Sequence, residues 1–108
     1  MGEGHVTTPE GSVKNWLKRQ LDLRLPGHWR IMPRGGPFGK AGTGDIVLVY
    51  KGVPAMIEVK SDQGDATPLQ MNSLRQFKAA GGVAALIKGK DEERLAHIIA
   101  EIQCRVKP

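Results

Sequence analysis

Gly44-Asp45-Ile46-Val47-Leu48-Val49-Tyr50, Lys51-Gly52, Val53-Pro54-Ala55-Met56-Ile57-Glu58-Val59-Lys60 is the stretch on which the fold turns. Two runs rich in Val and Ile flank Lys51-Gly52, a short Gly-containing turn of the kind that closes antiparallel strands. If Tyr50 faces Val53 across that turn, Asp45 stands opposite Glu58. Cross-strand partners lie roughly 4.5–5.5 Å apart at Cβ, and like charges so placed repel. A divalent cation between the two carboxylates would offset the repulsion, since hard cations such as Mg²⁺ take oxygen ligands. Lys60, two residues beyond Glu58, shares its face of the strand because side chains alternate with a period of two. An odd number of loop residues at the turn would slip the register and part the pair.

Outward from the hairpin, the pattern reads as one domain over residues 1–108, with residues 1–6 frayed. Thr8-Pro9 is an N-cap followed by proline at the first helical position, and Val13, Trp16, Leu17 and Leu21 continue at helical spacing, predicting a helix over 9–23. Glu10 lies on or beside the stripe that faces the core, either complementing the helix dipole or reaching the Asp45/Glu58 pair as a third carboxylate. Pro26-Gly27 breaks the chain, and 29–32 reads as a short strand. Thr67-Pro68 repeats the opening device, with Leu69, Gln70, Leu74 and Phe77 on one face of a helix that stops at Gly81-Gly82. Gln70 on that face is either a structural hydrogen-bonding group or one aimed at the carboxylates. Residues 83–87 form a compact apolar strand, and a last helix opens near Asp91 with Leu95, Ile98, Ile99 and Ile102 on one stripe. The order is α-β-β-β-α-β-α. Both faces of the hairpin are mainly apolar, which predicts a sheet covered on both sides, with the carboxylates at the open strand ends where they meet solvent.

The remaining composition narrows the class. Apolar content of 40% and charged content of 25% suit a soluble globular chain. The apolar runs are too short to span a membrane and no signal-peptide core is present, so the expected location is cytoplasmic. One cysteine, Cys104, excludes an internal disulfide, and His5, His28 and His97 lack zinc-ligand spacing. Sixteen Lys and Arg against 11 Asp and Glu give a net charge of +5, which favours polyanionic partners. The Gly-rich stretch 34–44 carries Arg34 and Lys40. It is not a P-loop: Gly35 to Gly39 is one residue short, Ala41 replaces the required hydroxyl, and a strand follows instead of a helix. Gly36-Pro37-Phe38-Gly39 matches the GXXG of RNA-binding KH modules, though it lacks that module's flanking helices.

Gly44-Asp45, a gap, then Glu58-Val59-Lys60 resembles the signature of the PD-(D/E)XK nucleases. More closely, with Glu10 on the first helix and Thr67-Pro68-Leu69-Gln70 opening the next, the chain is similar to a stand-alone VRR-NUC domain. The likeness covers most of the chain, with Gly44 where the signature carries proline. It implies a restriction-endonuclease-like α/β fold, a mixed sheet flanked by helices with a C-terminal helix. It further implies a DNA endonuclease using Mg²⁺ or Mn²⁺ and leaving a 5′-phosphate. Asp45, Glu58 and the Val59 carbonyl would be metal ligands with Glu10 in the outer shell, Lys60 would act on the attacking water, and Gln70 would position Lys60 or a phosphate. Arg34, Lys40, Lys14, Lys18, Arg75 and Lys78 are expected phosphate contacts. Lacking a recognisable specificity segment, the chain is expected to select branched DNA such as four-way junctions or flaps, and to work as a homodimer in a phage or mobile-element setting. The contrasting expectation is a non-catalytic nucleic-acid-binding module built on the basic Gly-rich stretch.

Overall fold

The computed structural model describes residues 8–33 and 45–108. Arg34, Lys40 and the GXXG match therefore lie outside the described residues. The elements follow the expected order: α1 (Pro9–Arg24), β1 (Trp29–Ile31), β2 (Ile46–Tyr50), β3 (Val53–Lys60), α2 (Pro68–Ala79), β4 (Val83–Lys88) and α3 (Glu92–Cys104).

The hairpin closes through Lys51 and Gly52, both at positive φ (47° and 84°). That pairing of signs is the type I′ geometry, whose twist matches that of the strands it joins. Its register places Tyr50 opposite Val53 and Ile46 opposite Ile57, so the next pair outward is Asp45 and Glu58. β1 adds antiparallel to β2, and β4 lies parallel to β3. The sheet order is β1-β2-β3-β4. The parallel pair needs a crossover, and α2 supplies it.

One face of the sheet carries Ile46, Leu48, Ala55, Ile57, Val59, Val83, Ala85 and Ile87, all buried. Against it pack Val13, Leu17, Leu21 and Leu25 from α1 and its C-cap, and Leu95, Ile98, Ile99 and Ile102 from α3, in one apolar cluster. The helical spacing in the sequence is thus core spacing in both helices. On the other face, among the described residues, α2 covers β3 and β4. There Met56 and Leu74 are buried, but Trp29, Ile31 and Val49 are exposed. Helices thus lie on both faces, as expected, but among the described residues the second face is covered over β3 and β4 alone. Apolar residues on both faces of a hairpin describe composition, and three turns of helix are too narrow to shield four strands.

The helix starts behave as read. Thr8 Oγ1 accepts from Gly11 N–H at 2.9 Å, and Asp91 Oδ1 from Arg94 N–H at 2.9 Å. At α2 the cap is reciprocal: Gln70 N–H donates to Thr67 Oγ1 at 3.2 Å, and Gln70 Oε1 accepts from Thr67 N–H at 2.8 Å. Thr67→Ala removes one side of that box and should cost about 1 kcal/mol of stability, measured by urea unfolding.

Candidate active site

Glu58 sits on β3, an interior strand of the sheet, on the face that α2 covers. Its side chain is 1% exposed, which overturns its expected place at a solvent-facing strand end. Neither Oε1 nor Oε2 has a hydrogen-bond partner among the described residues. Lys60 Nζ approaches Oε2 at 3.5 Å, within ion-pair range. A buried carboxylate without hydrogen bonds is costly. Burial first, and then the Asp45 carboxylate beside it, push the Glu58 carboxyl up from 4.5 to about 7, with Lys60 opposing the shift. The like-charge contact expected from the hairpin register is therefore present.

Asp45 is held from two directions. Its Oδ2 accepts from Val59 N–H at 2.8 Å, which ties it across the hairpin to the residue after its partner. Its Oδ1 lies 3.0 Å from Lys14 Nζ. The same ammonium is 3.3 Å from Glu10 Oε2, one helical turn earlier on α1. Glu10 Oε1 in turn lies 3.9 Å from Lys60 Nζ. The first two turns of α1 thus deliver Glu10 and Lys14 to the end of the hairpin, and three carboxylates alternate with two ammonium groups. Burial pulls the Lys14 pKa down, but the hydrogen bond and charge of Asp45, followed by those of Glu10, outweigh it and leave the pKa raised.

The expected residues divide accordingly. Asp45, Glu58, Lys60 and Glu10 converge, and Val59 joins them through its backbone. Gln70 reaches the N-cap of α2 with its amide oxygen. Lys14, expected as a phosphate contact, is an ion-pair partner inside the cluster. The signal for it was the i,i+4 spacing from Glu10, although the approach of Asp45 is a tertiary event. Lys18 is half-buried, while Arg75 and Lys78 are exposed on α2. These last two line a groove of about 210 Å³ with Leu74, Ala84 and Leu86, together with Arg94, a cation that sequence reasoning did not single out.

The donor set fits a divalent metal ion in one respect above all: a pair of adjacent carboxylates, one of them buried with neither oxygen hydrogen-bonded, is what a hard cation would satisfy. Among the described residues no three Asp, Glu, His or Cys side chains close on one point. Lys14 and Lys60 stand between Glu10 and the other two carboxylates, leaving Asp45 and Glu58 as the pair that could share an ion.

Comparison with known proteins places this arrangement on a recognised scaffold. The helix, mixed four-stranded sheet and crossover helix form a restriction-endonuclease-like α/β fold. A solved structure described as a VRR_NUC domain shares it, with a TM-score of 0.63 at 16% sequence identity, over 93% of this chain and 99% of that one. The chain therefore has the fold of a VRR_NUC domain, in agreement with the family resemblance of its motifs. No family model and no curated protein matches its sequence. No helix among the described residues is long and apolar enough to cross a membrane.

Proposed function

We propose that this chain is a metal-dependent DNA endonuclease that hydrolyses phosphodiester bonds at the Asp45/Glu58/Lys60 cluster. The observation that supports this reading is the buried Glu58 carboxylate, without a hydrogen bond and with Lys60 at ion-pair range, set against Asp45 on a nuclease-like scaffold. Such a pair is destabilising unless something else uses it. Asp45, Glu58 and the Val59 carbonyl would hold Mg²⁺ or Mn²⁺, with Glu10 in the outer shell. When bound, the ion lowers the pKa of water and stabilises charge growing on the phosphoryl oxygens. Lys60, held between Glu58 and Glu10, orients the attacking water and opposes the negative charge of the transition state. The Val59 N–H fixes the rotamer of Asp45, so that the carboxylate is aimed before substrate arrives. Gln70, its oxygen engaged by the cap, has its amide nitrogen left to position Lys60 or a phosphate.

Arg75, Lys78 and Arg94 along the groove, with Lys18 and the sequence-assigned Arg34 and Lys40, would track the phosphate backbone. Such contacts position a duplex without reading its sequence. Branched DNA, four-way junctions or flaps, is the favoured substrate class, cut by a homodimer in the host cytoplasm.

The test is a panel of single-stranded, duplex, flapped and four-way DNA incubated with Mg²⁺ or Mn²⁺, with EDTA and Lys60→Ala as controls. Metal-dependent cleavage strongest on branched DNA, lost in EDTA and in folded Lys60→Ala protein, is the expected result. Binding without cleavage by wild type would favour the non-catalytic module. Cleavage that survives in Lys60→Ala would remove the assignment altogether.

A further inference from the structure

The charged cluster is an alternating chain: Glu58, Lys60, Glu10, Lys14, Asp45. Its ends meet where Asp45 lies against Glu58. Within it Lys14 and Lys60 are not equivalent. Lys60 is the more buried, with 15% of its side chain exposed against 29% for Lys14. Lys14 also makes the shortest ion pair in the cluster, at 3.0 Å to Asp45 Oδ1. Because Asp45 Oδ2 is given to the Val59 N–H, Oδ1 is the oxygen through which Asp45 would most readily meet another cation. Two cations sharing one carboxylate oxygen repel each other. The Lys14 stem, on the surface of α1, can rotate to free that oxygen.

We propose that Lys14 is an internal counter-ion of the site: its ammonium holds Asp45 Oδ1 in the metal-free protein and leaves it when a divalent cation is taken up. This rests on the metal-binding reading of the Asp45/Glu58 pair. Lys14 is then a positioning residue that lowers metal affinity and quiets the like-charge cluster before loading. Once displaced, it becomes free to meet a nucleic-acid phosphate. The same side chain thereby serves the ion pair seen here and the phosphate contact expected from its basic character.

The experiment is calorimetric titration of Mn²⁺ into the wild-type chain, Lys14→Met and Lys14→Arg. Lys14→Met keeps the apolar stem and should bind Mn²⁺ about fivefold more tightly, the scale of a partly exposed ion pair. Lys14→Arg, which keeps the charge, should stay near wild type. A second measurement needs no substitution to fold well: in wild-type protein the NMR resonances of the Lys14 Cε methylene should shift on Mg²⁺ addition with the midpoint of metal binding. Mn²⁺ affinity in Lys14→Met equal to or weaker than wild type, or a Lys14 resonance that ignores bound Mg²⁺, overturns the proposal while leaving the metal site standing. Mn²⁺ binding by Lys14→Met alone supports it. Absence of Mn²⁺ binding from wild type and Lys14→Met alike would overturn both the proposal and the metal reading beneath it.

Discussion

Glu58→Gln is expected to stabilise the metal-free protein by about 2 kcal/mol at pH 8 while abolishing metal-dependent cleavage. In the folded chain the Glu58 carboxyl titrates at about 7, because burial and the neighbouring Asp45 disfavour its charge, against an ordinary 4.5. The folded state therefore binds more protons than the unfolded state between those two pH values. Stability from this group is fully present below about pH 4.5 and is lost as pH rises through about 7. A shift of this size corresponds to about 3 kcal/mol, of which Gln should recover most, since its amide can donate to Asp45 and its oxygen can face Lys60. Urea unfolding in EDTA across pH 4.5 to 8 measures the difference between the two proteins. The gap should open in favour of Glu58→Gln as pH rises. Parallel curves would mean that Glu58 is not strained by its charge. Gain of stability with loss of activity is the signature of a residue retained for function.

Asp45→Asn is the companion case, with activity rather than stability as the main readout. Asparagine is isosteric, and its carbonyl oxygen can still accept the Val59 N–H. Lys14 keeps Glu10 as a partner, so folding should change little, as expected for partly exposed ion pairs. What is lost is the negative charge on the ligand pair. Cleavage of a branched substrate in Mg²⁺ should fall about a thousandfold, with the thermal midpoint nearly unchanged. A loss of activity matched by a collapse of the fold would instead assign Asp45 a structural role.

These expectations show which parts of the site the sequence carries. The Asp45/Glu58 encounter was legible because a Lys-Gly turn sets hairpin register locally, and both strands keep strict alternation up to the turn. The Thr-Pro starts of α1 and α2 were legible for the same reason, being local chemistry. Depth was not. The burial of Glu58 is a tertiary event, set by what packs on β3, and it places a carboxylate from an apparent strand end into the interior. The Lys14–Asp45 ion pair was not legible, because helical spacing reveals the nearness of Lys14 to Glu10 and nothing about the hairpin arriving from elsewhere. Gln70 differs in kind. Thr67 followed by Gln70 is a capping-box spacing visible in the sequence, and the structure forms that box. The exposure of Trp29, Ile31 and Val49 among the described residues shows the limit of reading coverage from apolarity alone.

Within this account the carboxylate pair exists to hold a divalent cation, and diffraction tests that claim most directly. Crystals of the wild-type protein equilibrated with Mn²⁺ and measured near the manganese absorption edge should give one dominant anomalous peak, in contact with Asp45 and Glu58 and lost in Asp45→Asn. An anomalous map with no peak between those two carboxylates at saturating Mn²⁺, with the Lys14–Asp45 ion pair intact, would contradict the account.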